Sequence, residues 1–323
     1  MTALLDRLGL GAPVVQAGMG GGISRHELAG AVSEAGGLGT IAVNGAAAIA
    51  RELRAAQALT DKPLAVNLLL PFARRDWFAA AAHADVIVTF WGRPRRRTTG
   101  VWLHQCGSVQ EARAAAAAGA DGLIVQGVEA GGHVRGTLPA HELLARVRAA
   151  LGAGAPPLLL AGGIAERADV AAALEAGAQA AVAGTRFLAS HQSRAHPAYR
   201  ERLLAARETV LTELFGLGWP APHRVLRNAA TERRLRDGGD LRGPLALRAL
   251  NRASGIGARR VPPAVQARLA RAQRADGRLL SPTPPTDDGP ASLVEAGPLY
   301  AGETVARIAD VRPAAELVAA LTP

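Results

Sequence analysis

Short apolar runs alternate with Ala-rich helical stretches from the start of the chain to about residue 190, and this alternation constrains the fold more than any other feature. The spacing predicts strands at 14–16, 38–42, 64–68, 86–90, 101–105, 122–126, 157–161 and 180–183. Helical segments lie between most of them, at 25–35, 46–59, 109–118, 141–151 and 168–176. Ser24-x-x-Glu27 and Ser108-x-x-Glu111 read as capping boxes. Gly36, Gly119 and Gly177 read as left-handed helix ends. A weak repeat supports the pattern. Residues 117–127 (AAGADGLIVQG) and 175–184 (EAGAQAAVAG) each run from a helix end through a glycine into a buried strand that ends in glycine. Eight such units in series predict an α/β fold, a parallel (β/α)8 TIM barrel rather than an open sheet. The fourth unit is abbreviated, because residues 92–100 hold four arginines and a proline and leave little room for a helix. From about residue 196 the pattern changes. The expected organisation is a barrel over 1–195, a small helical lid over 196–290, and a return to the barrel over 291–323. A loop at 281–290 and a last helix at 314–321 complete it.

Composition narrows the classes. Aromatics are 3% of the chain, so the core must be built from Ala, Val, Leu and Ile. The single cysteine, Cys106, excludes an intrachain disulfide framework and suits a reducing compartment. No apolar stretch reaches the roughly 18 residues of a membrane span, and the N-terminus lacks the pattern of a signal peptide. A cytoplasmic protein without membrane or nucleic-acid partners is expected. The net charge of +10 raises nucleic acid as a partner. The charge is dispersed arginine with few aromatics between to stack on bases, so a solvated basic face is the reading preferred.

The candidate chemistry lies beyond the C-terminal ends of the strands, where barrel enzymes carry their sites. Residues 126–133 (QGVEAGGH) follow the sixth strand. His133 sits beside Gly131 and Gly132, which lack side chains and let a flat ring approach the backbone. The imidazole exchanges protons near neutral pH. A glycine turn with a surface histidine is the plainer alternative. Ala161-Gly162-Gly163 and Ala183-Gly184-Thr185 follow the seventh and eighth strands and lead into helices, where backbone N–H groups bind anions. Together with His133 they suit a phosphate-bearing flavin. Ala17-Gly18-Met19 follows the first strand, and Met19 either lies on a flat ring or packs in the core. Asn67 ends the third strand, with an amide that a flavin pyrimidine edge can satisfy. His104 and Gln105 end the fifth strand. Cys106 reads as a buried thiol. Glu129 reads as a loop-fixing residue before a general base. No spacing of histidines with carboxylates or cysteine reads as a metal site.

Taken together, residues 13–42, 63–69, 119–136, 157–164, 177–199 and the late Tyr300-Ala301-Gly302-Glu303 resemble the nitronate monooxygenase family, once called 2-nitropropane dioxygenases, which are FMN-dependent barrel enzymes. The combination of EAGGH, AGGI and GTRF in this order carries the resemblance. It implies oxidation of nitronates or nitroalkanes with O2 to a carbonyl compound and nitrite. By the resemblance His133 is the catalytic histidine. Met19, Asn67, Gln126, Gly131, Gly163, Gly184 and Thr185 are then FMN-contacting positions. Two departures stand out: Gly18 where proline is common, and Gln105 where some relatives carry lysine. The same superfamily includes FMN-dependent NAD(P)H reductases acting on enoyl-acyl-carrier proteins or quinones, and the motifs do not separate these from the monooxygenases. A small-molecule substrate is the implied partner, and a homodimer is left open.

Overall fold

The computed structural model describes residues 4–235, 241–257, 261 and 263–323. Parts of the expected lid, at 236–240, 258–260 and 262, therefore lie outside the described residues. The strands are β1 Val14–Gln16, β2 Gly39–Ile41, β3 Leu64–Leu69, β4 Val86–Phe90, β5 Val101–Cys106, β6 Gly122–Gln126, β7 Gly132–His133, β8 Leu158–Ala161, β9 Ala180–Ala183, β10 Val210–Thr212 and β11 His223–Val225. Eight of them form one parallel sheet in the order β1-β9-β8-β6-β5-β4-β3-β2. A parallel bridge between Val15 and Leu38 joins its two ends. The result is the expected (β/α)8 barrel.

Strand side chains alternate between two cores. Val86 and Val88 of β4 and Leu103 of β5 face the barrel interior with Val15, Ile124 and Leu159. Their neighbours Ile87 and Trp102 pack outward against the helical layer. This period of two is what a closed sheet between an inner and an outer core demands. Leu4 and Leu8 of the first helix join the interior core. The Leu4 amide donates to Gln179 Oε1 at 2.8 Å, so this short helix closes the end of the barrel opposite the candidate site.

Between β4 and β5 no helix intervenes. Trp102, 1% exposed, fills that place instead. Its indole N–H donates to Thr89 Oγ1 at 2.7 Å, which in turn meets His104 Nδ1 at 2.8 Å. Arg96 ties down the connecting loop through the carbonyls of Gly100 and Gly119 and an ion pair with Asp121.

The eighth helical position is taken by the final helix, Ala314–Leu321, which packs against His26–Glu34 and Arg167–Glu175. Residues 189–313 thus interrupt the last β/α unit. They are not helical alone: β10 and β11 pair antiparallel, and β11 pairs with β7, aligning His223 with His133. The sequence also hid the helix Arg75–Ala81, whose Trp77 and Phe78 are buried in the outer core.

One expected cap is corrected. The helix His26–Glu34 starts without a side-chain cap, because the Ser24 hydroxyl is held elsewhere, by Gln16 Nε2 and the Met19 amide. Ser108 does cap its helix through the Glu111 amide, while the Glu111 carboxylate reaches the Gly107 amide. Gly36, Gly119 and Gly177 all have positive φ.

Candidate functional site

His133 is held from both sides. Its backbone pairs with β11, and Gln126 at the end of β6 clamps the loop, donating to the His133 carbonyl at 3.0 Å and accepting from the Arg135 amide at 3.2 Å. The imidazole stacks on Trp219, with centroids 3.7 Å apart and planes at 18°. His223 and Tyr300 lie tilted against it at 5.4 Å. The residue as a whole is half-buried, but Nε2 is sealed and has no partner. Burial, aided by the neighbouring His223, pushes the imidazole pKa well below its ordinary value. A neutral imidazole has one nitrogen free to accept a proton at neutral pH.

Further orphaned polar atoms lie at the same end of the barrel. Asn67 Oδ1, Trp91 Nε1 and Glu129 Oε2 are also buried without partners, on the C-terminal side of β3, β4 and β6. Leaving such groups unpaired is costly, so a ligand that satisfies them has a strong purchase. Asn67 Nδ2 donates to the Gly18 carbonyl at 3.4 Å. A Cβ at position 18 would lie 2.5 Å from Asn67 Cβ. Only glycine there permits this approach, which accounts for the departure from proline. The Met19 side chain packs between two hydrophobic cores.

The two glycine loops face each other from neighbouring strands. Gly162 and Gly163 have φ of 111° and 79°. Within the described residues, the amides of Gly162, Gly163, Ile164, Gly184 and Thr185 donate to no protein acceptor. Such a run of amides is a nest for an anion. The helix after Gly163 caps itself, since the Ala165 and Glu166 amides donate to Asp169 Oδ2. The donors left for a ligand are therefore those of the loop. Arg307, far along the chain, donates to the Gly163 carbonyl at 3.2 Å and pairs with Asp169. Thr185 Oγ1 accepts from the Gly302 amide at 2.9 Å. These observations fit a phosphate-bearing ring cofactor, with Ala161 and Ala183 as the strand ends that aim the loops.

The other expected residues take supporting places. Ala17 bonds its amide to the Ala183 carbonyl. A Cβ at Gly131 would lie 2.6 Å from Ala301 and Gly302, so the returning chain passes tightly beneath the histidine loop. Gly132 supplies the positive φ of 76° before His133. Glu129 Oε1 accepts from the Ala140 amide, starting the next helix. Gln105 is half-buried at the end of β5. Burial pushes the Cys106 thiol up to about 12, which makes it inert. Outside the site, His26, Glu27 and Glu52 form the one group among the described residues with metal-like spacing. Arg51 and Arg194 already pair with these carboxylates. Sequence reading missed Trp91, Trp219 and Arg307, because no local motif links them to the strand ends, and it marked Tyr300 only through the late 300–303 stretch.

The family profile described as nitronate monooxygenase matches residues 2–91 and 93–323. A nitronate monooxygenase of Pseudomonas aeruginosa is 35% identical over 266 residues, covering 64% of this chain and 74% of the relative. Among solved structures, a nitroalkane oxidase from Streptomyces ansochromogenes superposes with TM-score 0.74 at 28% identity, covering 98% of this chain and 96% of the other. FabK from Thermotoga maritima superposes with TM-score 0.75 at 26% identity, covering 98% and 94%.

Proposed function

The chain belongs to the nitronate monooxygenase family, and from that premise we propose an FMN-dependent oxidoreductase that oxidises alkyl nitronates with O2 to a carbonyl compound and nitrite. The observation that carries the reading is the neutral His133, its Nε2 unpartnered, beside two loops of free amides. FMN supplies the electron-accepting ring, which no side chain here offers. The loop amides at 162–164 and 184–185 hold its phosphate, and Arg307, paired with Asp169 and Glu166, braces the Gly163 carbonyl behind them. Asn67 offers its Oδ1 to the ring edge, and Met19, packed against two cores, sits at the same end of the barrel. Gln126, Gly131 and Gly132 fix the loop so that His133 takes the α-proton from a neutral nitroalkane or, through a protonated ring nitrogen, donates a hydrogen bond to the nitro group. Residues 196–290 act as a lid that shapes the substrate cavity. Among the described residues no helix is long and apolar enough to cross a membrane, and a cytoplasmic location belongs to the same reading.

The likeness to FabK favours one alternative, an NAD(P)H-dependent reductase on the same barrel. Nitrite release from nitronates in the presence of O2, compared with NAD(P)H consumption with enoyl thioesters or quinones, decides between them. NAD(P)H consumption without nitrite would overturn the monooxygenase reading.

The phosphate loops give a second expected result. Gly184 has an ordinary φ of −108°, and a Cβ there makes normal 3.5 Å contact with Ala17. Gly184→Ala should therefore keep the flavin, whereas Gly184→Asp should expel it by charge repulsion. Gly163→Asp should do the same, with added backbone strain of about 1–2 kcal/mol. Flavin absorbance after gel filtration reads this directly. A yellow Gly184→Asp protein would put the phosphate elsewhere.

A further inference from the structure

The chain has only five Phe, four Trp and two Tyr. Phe72, Phe90, Trp91, Phe215, Trp219 and Tyr300 nevertheless form one continuous series of ring contacts with His133 and His223. A chain with so few rings concentrates them at one place, on the mouth of the barrel.

Trp91 is the centre of the argument. Among the described residues it is the one non-glycine with positive φ, at 60°. A bulky side chain in that region is strained, and such strain persists where a site requires it. Its indole N–H is buried without an acceptor. The Arg135 guanidinium lies 4.6 Å from its ring centroid and is paired with Glu111. A buried donor left without an acceptor is suited to an anionic oxygen. Trp219 then connects Trp91 to the histidine. It meets Trp91 edge-on at 5.4 Å, meets Phe72 edge-on at 5.5 Å, and stacks on His133. Phe72, Trp91 and Trp219 are all half-buried, so part of each ring remains open. His133 covers one face of Trp219 and Arg135 lies over Trp91, so a flat guest would stack on the ring surface these contacts leave open, and such stacking is favourable beyond area burial.

We propose that Phe72, Trp91 and Trp219 form a substrate subsite beside His133 that takes nitronates bearing an aryl or other flat conjugated substituent, with the Trp91 N–H donating to the nitronate oxygens. The proposal rests on the nitronate reading of the reaction and specifies its substrate class.

The test compares the nitronates of nitroethane, 1-nitrohexane and 2-phenylnitroethane. In the wild type, kcat/KM for the aryl substrate should exceed both others, by about tenfold over nitroethane. Trp219→Ala should erase that preference mainly through KM, and Trp219→Phe should restore part of it. Trp91→Phe keeps a ring at the same φ and removes only the donor. It should weaken all three substrates by about tenfold or more, since a hydrogen bond to a charged group is lost, while leaving the aryl preference intact. A readout without turnover is quenching of tryptophan fluorescence by phenylacetate, compared with acetate and hexanoate. Phenylacetate should bind tightest, less tightly to Trp91→Phe, and without advantage over hexanoate in Trp219→Ala. Flavin absorbance shows that each variant is folded and loaded. Equal rates on all three nitronates, or an aryl preference that survives Trp219→Ala, would overturn the subsite and leave the reaction reading standing. Nitrite from none of the three would overturn the reaction reading itself.

Discussion

His133→Ala should retain flavin and lose about 10²–10⁴-fold in activity on neutral nitroalkanes, the contribution typical of a positioned base. Preformed nitronates have already lost the α-proton, so their loss should be much smaller. The geometry makes the comparison clean. The His133 backbone is held by β11 and by Gln126 rather than by its own ring. Truncating the imidazole removes the stack on Trp219 but leaves the loop anchored. The depressed imidazole pKa keeps the base form populated well below pH 6.5, so activity on neutral nitroalkanes should not fall as pH drops through 6.5. Steady-state nitrite release on both substrate forms measures this. Equal small losses on both would make His133 a bystander in the chemistry.

Acid should destabilise this protein earlier than carboxylate protonation alone would. Burial holds His104 and His223 down at about 4, with the Arg135 charge adding to the effect on His104. His133 is depressed as well. The unfolded chain takes up protons as pH falls through about 6.5, while the native histidines stay neutral until about pH 4. Stability from these groups is therefore fully present above pH 6.5 and is lost as pH falls toward 4. Each histidine contributes a slope of about 1.4 kcal/mol per pH unit, or roughly 3 kcal/mol across the window. That is a large share of a domain's usual margin. Carboxylates in unfolded chains titrate at about 4, near the lower edge of this window, so the slope that urea melts show between pH 7 and 5 is the histidine share. His104→Asn should flatten the slope by about one third. Unchanged stability from pH 7 to 5 would mean these rings are not neutral in the native state.

The barrel was legible because period-two apolar runs, glycine helix ends and Ala-rich spacers all pointed one way, and the abbreviated fourth unit was visible in its arginines. What the sequence concealed was held together at long range. Ser24 has the local pattern of a cap, but Gln16 captures its hydroxyl. Strands β7, β10 and β11, of two or three residues each, are too short to show alternation. The loops carrying His133, Gly163 and Gly184 were marked by their glycines. Trp219 and Arg307 reach them from distant loops with no spacing to announce it, and Trp91 looks like any strand end until its φ is known.

The alignment of His223 with His133 has a consequence for how residues 196–290 diverge. They are not a detachable module, because their strand β11 is the template on which the histidine strand is laid. Insertions and deletions can accumulate elsewhere in 196–290, but an odd shift at 223–225 would turn alternate side chains to the opposite face and separate Trp219 from the imidazole. Exchanging residues 196–290 between relatives should succeed only when the graft preserves this register, so residues 132–133 and 223–225 must be kept or transferred together.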